Sequence, residues 1–307
     1  MISIMLFHQC FISIIPFNLF HNFGNWGVDV FLFLSGMGLV KSLSNNSLTD
    51  YYLRRFKRIF PSCIFCGSLK YILFLLLGPS VAILKDGLNI GVWSIMSFDL
   101  WFIHAIIILY AICPFLYWSL KRWTWGTITL VLTIFWINGI FIKPEIGYDW
   151  LSPIGIFSWT TERLPVFLAG MYIVMKKDSI NFNIYISFLF LIIAMGLVFL
   201  KKTEIFFLGS QACLWISLVI GMPALIWLFI ISIDKIPSTL SRIINFFGFY
   251  SLELYLVHEF IFWSLKIIFD NANPFLLLIM GFFLSCFSAY VSKWFSEKIK
   301  FTLSTNN

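Results

Sequence analysis

The stretch that decides the fold is GVDVFLFLSGMGLVKSL, Gly27–Leu43. Asp29 opens it and Lys41 stands near its end, and between them the run is apolar apart from one serine and two glycines. It is too apolar all round for the amphipathic helix of a soluble protein, and it lacks the alternation of a membrane β-strand. In hydrocarbon a backbone must satisfy its own hydrogen bonds, which leaves a spanning helix. Similar runs recur at about 1–18, 59–78, 98–119, 124–142, 162–175, 182–200, 211–233, 246–268 and 273–293. The composition agrees: 60% hydrophobic and 11% charged, against about 25% charged in a soluble domain. Disorder is excluded, because disordered chains are poor in hydrophobic and aromatic residues. At about 20 residues per span, the expectation is an all-α polytopic integral membrane protein with about ten transmembrane helices. They would form a single domain over 1–300, followed by a polar C-terminal tail at 301–307.

Lys and Arg positions set the expected orientation. With the N-terminus inside, 14 of the 21 basic residues fall on the cytoplasmic side, as the positive-inside rule requires. An even number of spans then returns the C-terminus to the cytoplasm. The net charge of +7 thus records topology rather than affinity for nucleic acid. The connections at 79–97 and 143–161 are rich in Gly, Pro and Trp and long enough to re-enter the bilayer. Cys63 and Cys66 form a CxxC, but no second ligand pair completes a zinc pattern. The first run lacks the basic start and small-residue cleavage site of a signal peptide.

Charged groups are expensive at mid-bilayer, so the polar exceptions are the informative residues. His8 lies inside the first run: it reads either as a neutral imidazole satisfied by one helix partner or as a general base for a hydroxyl. His21 stands nearer the interface. Asp29 reads either as an acid favoured in the first turn of its helix or as the orienting partner of a first-span histidine. Ser35 and Gly36 permit close helix contact. In YYLRRFKRIFP, at 51–61, a helix places Arg54, Arg55 and Arg58 on one face. That arrangement suits the phosphates of a ligand or, more blandly, anionic headgroups. Glu162 and Arg163 form an adjacent acid and base at an outer helix start. Ser251, Tyr255 and either His258 or Glu259 share one face of a second apolar run that also carries Glu253. Such a stripe must face the bundle interior or a wet cavity. Asp99, His104 and Tyr110 repeat the pattern more thinly. Phosphate-cradling glycine loops, nucleophile elbows and HExxH are absent from the sequence.

Taken in order, these stretches resemble the acyltransferase-3 family of integral-membrane O-acyltransferases. The resemblance rests on the first-span histidine, the GVDxFxxxSG stretch at 27–36, the YxxRRxxRIxP stretch at 51–61 and Trp101-Phe102-Ile103 with Tyr110 and Pro114. It continues through Arg163-Leu164-Pro165-Val166-Phe167-Leu168 with Gly170, and Ser251–His258. It implies a cytoplasmic acyl-CoA donor, an acceptor hydroxyl on a surface polysaccharide, lipid-linked sugar or glycolipid, and a site in the cell (cytoplasmic) membrane. It also implies a first-span histidine as the base, His8 or else His21, which lies closer to the GVD stretch, with Asp29 orienting it, and Arg54, Arg55 and Arg58 as holders of the CoA phosphates. Supporting groups would come from His21, Glu162, Arg163, Ser251, Glu253, Tyr255 and His258. No metal is required. Family members carry a basic residue further upstream of that histidine than this chain extends, so either the start is truncated or the donor site lacks one cation. The competing classes are a glycolipid transporter or flippase and a non-enzymatic membrane scaffold. The first lacks matched halves with interrupted spans, and the second leaves the buried His and Arg groups without a purpose.

Overall fold

A computed structural model describes residues 1–8, 24–77, 101–142, 152–176, 183–203, 210–232 and 235–305. His21 and the connection at 79–97 lie outside the described residues. Among the described residues the secondary structure is helical throughout, in agreement with the expected class. The helices are α1 (Ile2–His8), α2 (Gly24–Asn45), α3 (Leu48–Leu77), α4 (Trp101–Arg122) and α5 (Thr124–Ile137), the last ending in a π-helical turn at Asn138–Ile142. They continue with α6 (Pro153–Met175), α7 (Ile184–Thr203), α8 (Ser210–Ser232), α9 (Ser238–Phe249), α10 (Ser251–Ile268) and α11 (Pro274–Thr305). Four segments among them are long and apolar enough to cross a membrane: Trp26–Asn45, Trp101–Arg122, Thr124–Ile142 and Pro274–Lys298. Ile184–Leu197 and Val219–Phe229 are shorter apolar helices.

Local chemistry explains where the helices depart from the expected spans. The expected span at 59–78 lies inside α3, which starts earlier because Ser47 caps it. The Asp50 amide donates to Ser47 Oγ at 3.1 Å and Ser47 Oγ donates to the Asp50 carboxylate at 2.7 Å, a reciprocal cap. The arginine cluster is therefore helical rather than part of a loop. The α6 helix begins at Pro153, well before the expected 162, because Ser152 accepts from the Gly155 amide at 3.0 Å and Pro153 occupies the first turn. Glu162 and Arg163 consequently stand deep within a helix and not at its outer start. The expected span at 246–268 is divided at Tyr250 into α9 and α10.

The chain forms two compact units. The first comprises Met1–Gly27, Leu53–Leu100 and Ser238–Asn307. Here α10 and α11 pack tightly: a Cβ on Gly281 would collide with the Phe262 ring. The second comprises Val28–Tyr52 and Trp101–Pro237. Its α2 and α6 touch backbone to backbone, since a Cβ on Gly36 would collide with the Phe167 carbonyl oxygen and one on Gly170 with that of Phe33. Without a water-driven force between helices in lipid, such close approach supplies much of the packing energy.

Replacing Gly170 with Ala should therefore lower folding stability by about 1–3 kcal/mol through overpacking. Gly38→Ala, whose Cβ would meet nothing within 4 Å, should leave thermal unfolding in detergent unchanged.

Candidate active site

In the first unit, His8 ends α1 and meets α10. Its Nδ1 lies 3.4 Å from Glu259 Oε2, and its ring stands edge-on to His258 at a centroid distance of 4.9 Å. Three and four residues span about one helical turn, so Tyr255, His258 and Glu259 project on neighbouring parts of one face. His258 is fully buried, and its Nδ1 lies 2.8 Å from the Leu254 carbonyl and 3.0 Å from that of Tyr255. Two carbonyl acceptors place the proton on Nδ1, leaving Nε2 with its lone pair. The Nε2 atom is buried without a hydrogen-bond partner. Lys70, buried on α3, exerts its charge on Glu259. The group is thus two imidazoles and one carboxylate in a largely apolar setting.

A second polar station lies nearer the start of α10. Glu253 is fully buried, and its Oε1 accepts the Ser62 hydroxyl at 2.8 Å. Ser62 also lies 3.1 Å from the Ser296 hydroxyl. Arg58 Nη1 is 3.6 Å from the same carboxylate oxygen, and Arg58 Nη2 reaches the Phe249 carbonyl at 3.5 Å. Arg54 is exposed, while Arg55 and Arg58 are half-buried on the same stretch of α3. The structure therefore brings Glu253 to the arginine cluster and His258 to His8. Ser251 stands at the first position of α10.

Asp29, Glu162 and Arg163 lie in the second unit. Asp29 and Arg163 are both wholly buried, with Arg163 Nε 3.4 Å from Asp29 Oδ1. The Arg163 guanidinium also lies over the rings of Trp101 at 5.6 Å and Trp159 at 6.0 Å. Glu162 is buried beside it. Within the second unit the partner of Asp29 is Arg163, and within the first the carboxylate at His8 is Glu259. Asp29 enters at the level where α6 carries its guanidinium, and an opposite charge in an apolar interior is the stronger attraction. Tyr110 contacts Ser35 across α2 and α4, hydroxyl to hydroxyl at 3.5 Å. Glu259 was legible only as one of two candidates for the α10 stripe, because periodicity cannot separate adjacent residues. Lys293 carried no signal beyond its charge. Among the described residues, no three His, Cys, Asp or Glu side chains are arranged to hold a metal ion.

Apolar helices of spanning length, packed with neighbours that bury acids, bases and histidines, define a multi-pass membrane protein with titratable groups held among its helices. Residues 1–294 match the acyltransferase-3 family model, an acyltransferase domain, and the chain belongs to that family. Membership makes it an acyltransferase of the membrane O-acyltransferase kind. No curated protein and no solved structure matches the chain.

Removing one partner of the Asp29–Arg163 pair strands a buried charge, which costs about 3–5 kcal/mol. Arg163→Met should therefore lower the denaturation midpoint strongly, and Asp29→Leu combined with Arg163→Met should recover much of the loss.

Proposed function

We propose that the protein transfers an acyl group, acetyl in the first instance, from acyl-CoA to a hydroxyl of a surface polysaccharide, lipid-linked sugar or glycolipid. The reaction would take place in the cytoplasmic membrane. The observation that carries this reading is that one helix, α10, holds both stations: Glu253 beside the arginines and Glu259 beside His8. They are six positions apart, or about 9 Å along a helix. The pantetheine arm of CoA has about twelve bonds between diphosphate and sulfur and extends to about 14 Å. A diphosphate held by Arg54, Arg55 and Arg58 outside the Glu253 level would thus let the thioester reach His8.

In this reading His8 Nε2 takes the proton of the acceptor hydroxyl as its oxygen attacks the thioester carbonyl. Glu259, facing Nδ1, holds the ring in the tautomer that leaves Nε2 basic and stabilises the imidazolium that forms. Collapse of the tetrahedral intermediate breaks the carbon–sulfur bond, and the departing thiolate takes the proton from His8. Lys70 supplies a positive charge close to this chemistry, where negative charge develops on the carbonyl oxygen. Arginine suits the donor because its guanidinium grips phosphate oxygens in pairs. The Asp29–Arg163 pair serves to hold α2 against α6.

Purified protein in lipid nanodiscs, given labelled acetyl-CoA and a lipid-linked glycan, should transfer the label. His8→Ala should lower kcat by about 10²–10⁴, and Glu259→Gln by a smaller factor at little change in KM. Full activity in His8→Ala would overturn the assignment of the base.

A further inference from the structure

Lys293 stands in none of the stretches that carry the family resemblance, and by sequence it is one more basic residue near a helix end. The structure buries it on α11 at 5% exposure, with Nζ 3.7 Å from Glu253 Oε1 and 4.6 Å from the centre of the Phe249 ring. The oxygen that faces Lys293 also faces Arg58 at 3.6 Å and accepts the Ser62 hydroxyl. Two cations therefore share one buried carboxylate. The local charge is positive before Arg54 and Arg55 are counted. A buried charge is costly unless it is compensated, and one carboxylate compensates only one of the two.

The distances indicate how the sharing works. Both cation–oxygen separations exceed ordinary charge-assisted hydrogen-bond lengths, so the carboxylate attracts the cations without occupying their N–H donors. Glu253 is fully enclosed, whereas the Arg58 side chain is 32% exposed. The guanidinium thus has its inner edge toward Glu253 and Phe249 and an outer part open to a ligand. If Lys293 were neutral, Glu253 would belong to Arg58 alone and would cancel its charge.

We propose that Lys293 is a positioning residue of the donor-phosphate site. By sharing Glu253 it keeps the carboxylate from neutralising Arg58 and leaves the guanidinium free for a phosphate ester. This rests on the acyl-CoA reading above and deepens it by adding a residue from α11. The same phosphate chemistry exists in lipid headgroups, so the two sources must be separated by experiment.

Initial rates are measured in nanodiscs of zwitterionic lipid with acetyl-CoA or with S-acetylpantetheine, the same thioester without nucleotide phosphates. Lys293→Met should raise KM for acetyl-CoA about tenfold, one charge-assisted contact's worth, and leave kcat and the KM for S-acetylpantetheine as in the wild type. Lys293→Arg should restore the wild-type KM. Equal changes for both donors, no change for either, or an effect seen only after anionic lipid is added would overturn the proposal. A second measurement does not depend on turnover. In Glu253→Gln the two cations lose their counter-charge, so CoA should raise its Tm more than it raises that of the wild type, and pantetheine should not. A CoA shift equal to or smaller than the wild-type shift would overturn the proposal. Wild-type protein that transfers from neither donor would overturn the acyl-CoA reading instead, and the CoA melts would still decide the role of the cluster.

Discussion

A charge inside an apolar helix bundle has to find its counter-charge within the protein, because neither lipid nor bulk water will supply one. In the second unit, Asp29 on α2 meets Arg163 on α6, both wholly buried. In the first, Glu253 on α10 collects Arg58 from α3, Lys293 from α11 and the Ser62 hydroxyl. Each contact ties together helices that are distant in sequence, and each sets the level at which those helices face one another. With Glu253 placed beside Arg58, the pitch of α10 carries His258 and Glu259 more than a turn further along the helix, where α1 brings His8. The spacing between the two polar stations is thus a consequence of helix geometry and one ion pair.

Close packing completes what the charges begin. Gly36 and Gly170 let α2 and α6 approach until a Cβ at either position would collide with backbone. At that separation Asp29 and Arg163 can face each other across the same interface. A bulkier residue at either glycine would separate the helices and stretch the ion pair, so the small residues and the charges support each other. In the first unit, Gly281 admits the Phe262 ring in the same manner and keeps α11, with Lys293, against α10.

Much of the candidate site was legible in the sequence because polar residues on apolar helices are few. The stripe Ser251–Glu259 was visible from its spacing, and the arginines at 54, 55 and 58 from their density. Partner choice was harder to see. That Asp29 meets Arg163 could not be read in advance, because the period of α2 says which side of the helix it occupies and not which helix lies there. Glu162 and Arg163 were expected at a helix start, and the Ser152 cap moved that start outward. Lys293 looked topogenic, since a cation near the end of an apolar run has the same signature whether it meets water or a buried carboxylate.

By itself, the sequence determined that this chain is helical and lipid-embedded, that it belongs to the acyltransferase-3 family, and which side chains are chemically unusual for such an environment. These follow from local properties: hydropathy, helical period, caps and the order of short stretches along the chain. Only the tertiary structure decided that His8 pairs with Glu259, that Asp29 pairs with Arg163, and that Arg58 and Lys293 share Glu253. Those pairings join residues far apart in the chain. Which of several available opposite charges a buried group meets depends on the packing of whole helices, and no local pattern in the sequence encodes that distance.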